Sequence, residues 1–223
     1  MMKLAPPQSE AELLQRVKNI AGKTLAQLAH SCNWPIPDNL EHNKGWIGQL
    51  IEQLLGTDAG NLSEPDFLQL GIELKTIPIK ANGTPAETTY ICVVPLSEHL
   101  GLQWQQSCVA KKLQRVLWVP IEVDKKLQLG QRKVGSGFIW SPNQQQQTAL
   151  QEDWEELMEY VAMGNIESID ARYGEYLQIR PKAANSKART MGVSSSGGYS
   201  PTLPRGFYLR TSFTKEIIKQ YNK

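Results

Sequence analysis

Cysteine is scarce in this 223-residue chain: Cys32, Cys92 and Cys108 stand far apart and form no CxxC pair. An odd, scattered set points to neither a zinc site nor a disulfide framework, and it suits a reducing cytoplasm. Histidine is equally sparse. His30, His42 and His99 show no metal-ligand spacing, and none is given a role. No apolar run approaches the length of a membrane span. The opening Met1-Met2-Lys3-Leu4-Ala5-Pro6-Pro7 lacks the apolar stretch of a secretory signal. There is no glycine-rich phosphate loop, which excludes a P-loop ATPase or nucleotidase, so any energy input has to come from partners. No internal repeat is visible.

What is present reads as a soluble globular protein. Hydrophobic residues make up 40% and charged residues 21%. The length suits one large domain or a two-lobed one with a substantial core. The net charge of +2 conceals an asymmetry. Residues 171–223 carry ten Lys/Arg against two acids, a net of +8, while the first 170 carry 14 against 20, a net of −6. Within that acidic part, Lys111, Lys112, Arg115, Lys125, Lys126, Arg132 and Lys133 make a second basic stretch. Basic blocks beside an acidic one suggest a polyanion site; the alternative is a merely solvated face, and charge alone leaves the two even.

Hydrophobic periodicity predicts a helical region over residues 8–30, capped by Ser9 with Glu12, with a second helical stretch at Leu25–Ala29. A loop follows over residues 33–39, then a helix over Lys44–Leu55 with Gly56 as its C-terminal cap. Leu70–Ile79 and Thr88–Pro95 read as strands joined by a turn at Ala81-Asn82-Gly83. Val116–Val123, Gly137–Trp140, Tyr176–Ile179 and Gly206–Leu209 read as further strands. Gln144–Gln147 is a low-complexity patch. Asp153–Met163 is a helix whose acids favour its N-terminal half, as the helix dipole predicts. Residues 194–198 read as a flexible loop. The fold class is therefore mixed, α/β or α+β, and two lobes of one folded unit fit better than two independent domains.

The chemistry concentrates in Pro65-Asp66-Phe67-Leu68-Gln69-Leu70-Gly71-Ile72-Glu73-Leu74-Lys75-Thr76. On a strand, Glu73 and Lys75 share one face while Ile72, Leu74 and Thr76 share the other. That sets a carboxylate beside an ammonium, and Asp66, on the preceding turn, can return to reach them. Phosphodiester hydrolysis uses such a set: two carboxylates for a hard Mg²⁺ ion, with the Leu74 carbonyl as a further oxygen, and a lysine for the attacking water or the transition-state charge. The triplet by itself is weak evidence, since an acid-x-Lys is expected about once by chance in a chain of this length. Asp124-Lys125-Lys126 is such a decoy, without an upstream Pro-Asp.

Pro65-Asp66 with Glu73-x-Lys75 resembles the PD-(D/E)xK motif of restriction-type nucleases. The wider string from Leu70 to Pro78 is similar to the MutH family of methyl-directed mismatch-repair nucleases. So are Glu87–Val93, Lys112–Trp118, Glu152–Met158, Gly174–Asn185 and Leu203–Leu209, in one order, over nearly the whole chain from Lys44. The Ser194–Gly198 loop and the tail after Phe213 match least.

The resemblance implies a restriction-endonuclease-like core, a central mixed sheet flanked by helices, with two lobes around a DNA cleft. It makes residues 1–95 a catalytic lobe and 96–223 a DNA-recognition lobe. Asp66, Glu73 and Lys75 then form the catalytic triad, with Asp66 and Glu73 holding Mg²⁺ (or Mn²⁺ in its place), and Glu52 is an additional active-site acid. Lys44 falls on a basic residue near the scissile phosphate, and Lys112 matches a lysine of the catalytic cleft. Tyr90, Arg180, Lys182 and Tyr208 fall in DNA-reading segments. Tyr208 matches the tyrosine that senses adenine methylation, a modification displayed in the major groove; Tyr90 stands where the family often has phenylalanine. The implied substrate is double-stranded DNA at GATC sites, nicked on the unmethylated strand by a cytoplasmic monomer. The implied partner is MutL, with MutS acting indirectly. Two other readings stand beside this one: a type II restriction-like enzyme cutting both strands, and a DNA-binding module without catalysis.

Overall fold

The computed structural model describes all residues except 1–3, 39, 41, 42, 44, 61–63, 98–100, 171, 184, 186, 222 and 223. The fold is mixed α+β. Three helices come first: α1 (Glu10–Ile20), α2 (Leu25–Ser31) and α3 (Trp46–Leu55). Strands β1 (Glu73–Lys80) and β2 (Thr89–Val93) follow, then helix α4 (Cys108–Leu113), strands β3 (Val116–Val123) and β4 (Phe138–Trp140), and helix α5 (Gln144–Ala162). The chain continues through β5 (Leu177–Pro181), β6 (Thr190–Val193), β7 (Tyr199–Thr202) and β8 (Arg205–Leu209) to helix α6 (Thr211–Tyr221).

Two compact units arise from this order, and the chain interleaves them. The first takes Met1–Glu87, Gln114–Ser141 and the segment from Tyr221; the second takes Thr88–Leu113 and Pro142–Gln220. A single division at residue 95 is not the one the structure makes. The reason is strand pairing. β3 lies parallel to β1, in register from Glu73↔Val116 to Lys80↔Val123, so it belongs with the first unit. β2 pairs antiparallel with β8, which draws it into the second. A parallel pair needs a long crossover, and here the crossover carries β2 and α4.

The first unit has a three-stranded mixed sheet in the order β1-β3-β4, with β4 antiparallel to β3. Its core joins Leu13 and Val17 of α1, Leu25 and Leu28 of α2, and Leu50, Ile51 and Leu55 of α3 to Phe67, Ile72, Leu74, Leu117, Val119 and Ile121. Spacing of three and four along each helix gathers these side chains onto one face. Each fully buried leucine or isoleucine contributes about 1.5–3 kcal/mol of transfer free energy. The second unit has an antiparallel sheet in the order β2-β8-β5, and a β6-β7 hairpin.

Several local expectations change. The helical region over 8–30 breaks at Ala21, which is extended, and α2 restarts at the Thr24–Gln27 capping box. Helix α5 begins at Gln144, with Asn143 and Gln146 forming a reciprocal cap. The glutamine patch is thus its first turn, and Asp153 lies mid-helix, away from the positive end of the dipole. The Ser194–Gly198 loop is the connection of a hairpin, closed by Ser194 N–H donating to the Gly198 carbonyl at 3.0 Å. Gly56 caps α3 in the left-handed conformation, as expected.

Candidate functional site

In the first unit, the segment between α3 and β1 doubles back on itself. Phe67 N–H donates to the Ile72 carbonyl at 2.9 Å, and both side chains are buried. The N–H groups of Asp58 and Ala59 donate to the Asp66 carbonyl, and Asp58 Oδ1 accepts from Leu68 N–H at 2.9 Å. This turn returns the Asp66 side chain to the start of β1, where Oδ2 accepts from Leu74 N–H at 2.8 Å. Asp66 is thereby held against the residue that follows Glu73.

Glu73 opens the β1–β3 ladder, its N–H donating to the Arg115 carbonyl at 2.9 Å. Its carboxylate is buried, with a side chain 2% exposed, and accepts from Lys75 Nζ at 2.6 Å. The two-residue period of the strand places the pair on one side, as the alternation predicts. A charge-assisted bond of this length compensates two charges removed from water. Glu52 is half-buried on α3, which packs against β1. Among the described residues, no group of three or more His, Cys, Asp and Glu is gathered as a metal cage. Asp66 and Glu73 offer carboxylate oxygen only, which fits a hard divalent ion that keeps part of its water shell. Lys44 lies outside the described residues. Lys112 is on α4 of the second unit and is largely buried.

In the second unit, Tyr90 of β2 stands opposite Tyr208 of β8, their rings edge-to-face at 5.4 Å. Lys182 Nζ lies 4.4 Å from the centre of the Tyr90 ring, and the Arg180 guanidinium lies 5.8 Å from that of Tyr208. Arg180 also donates to Thr88 Oγ1 at 2.9 Å. The sequence carried no signal for Thr88, because that contact depends on the fold. Gly206 permits the aromatic pairing: a Cβ there would meet the Tyr90 ring at 2.8 Å and the Tyr208 ring at 3.1 Å. Burial pushes the Tyr90 hydroxyl up to about 12, helped by the charges of Cys92, Tyr208 and Cys108. Burial also raises Tyr208, against the opposing pull of Arg180. An ordinary phenol is already protonated at neutral pH, so these upward shifts leave both hydroxyls neutral, as they would be in water. Half-buried rings flanked by exposed cations make a surface suited to nucleic acid.

A mixed sheet whose first strand bears Glu73-x-Lys75, approached by Asp66 from the preceding turn, defines the restriction-endonuclease-like class. Residues 55–153 match the MutH family model, described as DNA mismatch repair enzyme MutH. The chain is 53% identical over 215 residues to the DNA mismatch repair protein MutH of Shewanella amazonensis, covering 96% of both proteins. It is 52% identical over 220 residues to that of Shewanella oneidensis, covering 99% of both. The chain belongs to the MutH family of DNA mismatch repair enzymes.

Proposed function

We propose that this protein is a Mg²⁺-dependent DNA endonuclease that nicks the unmethylated strand at hemimethylated or unmethylated GATC sites. It does so in the cytoplasm as a monomer summoned by MutL, which is itself loaded by mismatch-bound MutS. The observation that carries this reading is the delivery of the Asp66 carboxylate to Leu74 N–H, beside the buried Glu73–Lys75 pair.

Asp66 and Glu73 would hold the ion, and Glu52 on α3 is a further acid for the same chemistry. When bound, Mg²⁺ (or Mn²⁺) supplies an acidified water and charge stabilisation on the leaving oxygen. Asp66 is oriented for this by its bond to the β1 backbone, and Glu73 by its ion pair. Lys75 brings positive charge to the scissile phosphate and orients the attacking water. The water oxygen bonds to phosphorus as one phosphodiester P–O bond breaks, leaving one strand cut. Lys44 and Lys112 add positive charge for the DNA backbone. Arg180, Lys182, Tyr90 and Tyr208 read the site, with Tyr208 meeting the adenine N6 edge, where a methyl group alters both shape and donor count.

The test is a nicking assay on supercoiled plasmid carrying GATC sites, with Mg²⁺, in unmethylated, hemimethylated and fully methylated forms, with and without MutL. Nicked circles from the first two forms only, increased by MutL, are expected. Rapid linearisation without MutL would instead indicate a restriction-like enzyme. Binding without cleavage would indicate a non-catalytic module.

A further inference from the structure

The Asp153 carboxylate lies in the interior of α5, 7% exposed, and it serves backbone that the helix does not own. Its Oδ1 accepts from Glu175 N–H at 2.7 Å; its Oδ2 accepts from Tyr176 N–H at 2.6 Å and from Leu177 N–H at 2.7 Å. Three consecutive amides thus converge on one carboxylate. From the other side, Arg210 Nε donates to the Gly174 carbonyl at 3.0 Å and its Nη2 to the Tyr173 carbonyl at 2.6 Å. Arg210 N–H donates to the Tyr176 carbonyl at 2.8 Å. Gly174 is at φ +74°, and a Cβ there would sit 2.0 Å from the Leu177 carbonyl oxygen, so the segment admits no other residue in this conformation.

The segment so held leads directly into β5. Leu177 is the first residue of that strand and pairs with Leu209; Gln178 pairs with Tyr208, and Arg180 with Gly206. Arg210 immediately follows β8. One carboxylate and one guanidinium therefore fix the shared end of the two strands that carry Arg180 and Tyr208. Five hydrogen bonds to charged groups, each stronger than a neutral one, are more than a loop connection needs.

We propose that Asp153 and Arg210 are positioning residues for DNA recognition, clamping residues 173–177 so that Arg180 and Tyr208 meet the base edges in a single geometry. The inference rests on the assignment of β5 and β8 as DNA-reading strands. A loosening of about one ångström at the base of these strands blunts discrimination, because base readout depends on the placement of donors.

The test compares kcat/KM for nicking duplexes with a GATC site and with a single-base-changed site, using wild type, Asp153→Asn and Arg210→Lys. Asp153→Asn keeps one acceptor oxygen and turns an NH₂ group toward the amide donors that the other oxygen served, either Glu175 N–H or the Tyr176 and Leu177 pair; Arg210→Lys keeps the charge and loses the fork. Circular dichroism and thermal unfolding report whether each variant folds. Both variants are expected to lose roughly tenfold in the ratio of the two kcat/KM values, the size of effect that one misplaced base contact produces. Most of that change should be in KM for the cognate site. Arg210→Lys carries the test if Asp153→Asn does not fold. A discriminating wild type with an unchanged ratio in folded variants overturns the clamp alone. A wild type without site preference overturns the recognition assignment, and the clamp's role with it.

Discussion

The Lys75 ammonium sits 2.6 Å from a Glu73 carboxylate that is almost wholly withdrawn from solvent. The pair has two roles at once, as part of the proposed hydrolytic site and as charge compensation at the start of the central sheet. Replacing Lys75 by alanine removes the cation bonded to this buried carboxylate. The expected cost is about 3 kcal/mol of unfolding free energy, typical of a buried pair broken from one side. Urea denaturation of K75A measures it, and an unchanged midpoint would mean that another group neutralises Glu73.

Asp66→Ala and Glu73→Ala each remove one of the two proposed oxygen ligands. Nicking is expected to fall by about a thousandfold or more in either variant, as when a preorganised electrostatic group is lost. DNA binding, measured by fluorescence anisotropy, should persist, because the proposed base-reading residues Tyr90, Arg180 and Tyr208 lie on strands other than β1. Near wild-type nicking in either variant would remove Asp66 and Glu73 from the reaction.

Tyr208→Ala takes away the ring that pairs with Tyr90 and lies under Arg180. The ratio of nicking on unmethylated to fully methylated GATC duplexes is expected to drop, by more than the loss in kcat on the unmethylated duplex. A preserved ratio would move methyl sensing to another residue.

Glu167 accepts from Arg205 Nη2 at 2.6 Å and from Thr202 Oγ1 at 2.8 Å, and these bonds hold its carboxyl below the ordinary value of 4.5. A depressed folded-state value stabilises the fold above the ordinary value, and that contribution disappears as pH falls through the depressed one. Wild type should therefore melt above Glu167→Gln at pH 7, with the gap closing in the acid range below 4.5. A gap that does not change with pH would assign the effect of the substitution to packing.

The parts legible in the sequence are those whose cause is local. β1 and β3 are apolar runs with strand-like composition, and alternation alone places Glu73 beside Lys75. Pro65-Asp66 at the right distance suggested the returning turn, which the Phe67–Ile72 bridge completes. The remainder depends on contacts between distant segments. Asp153 reads as an acid near a helix start only because the capped glutamine turn ahead of it looks like low complexity. Its partners at 175–177 come from another element. Tyr90 meets Tyr208 only through the β2–β8 register, which no local pattern encodes. The hairpin of β6 and β7 hid in a serine- and glycine-rich stretch whose turn was visible while its flanking strands, four residues each, were too short to show a period.

The interleaving of the two units bears on how such a protein can be recombined. Strand β3, the neighbour of the Glu73 strand, is encoded after β2 and α4, which belong to the other unit. A crossover at any one point between β1 and β3 would transmit one strand of that pair without its native companion. A crossover after β3 would instead part β2 from β8, so under the proposed function site reading and cutting are not exchanged as separate cassettes by one recombination point.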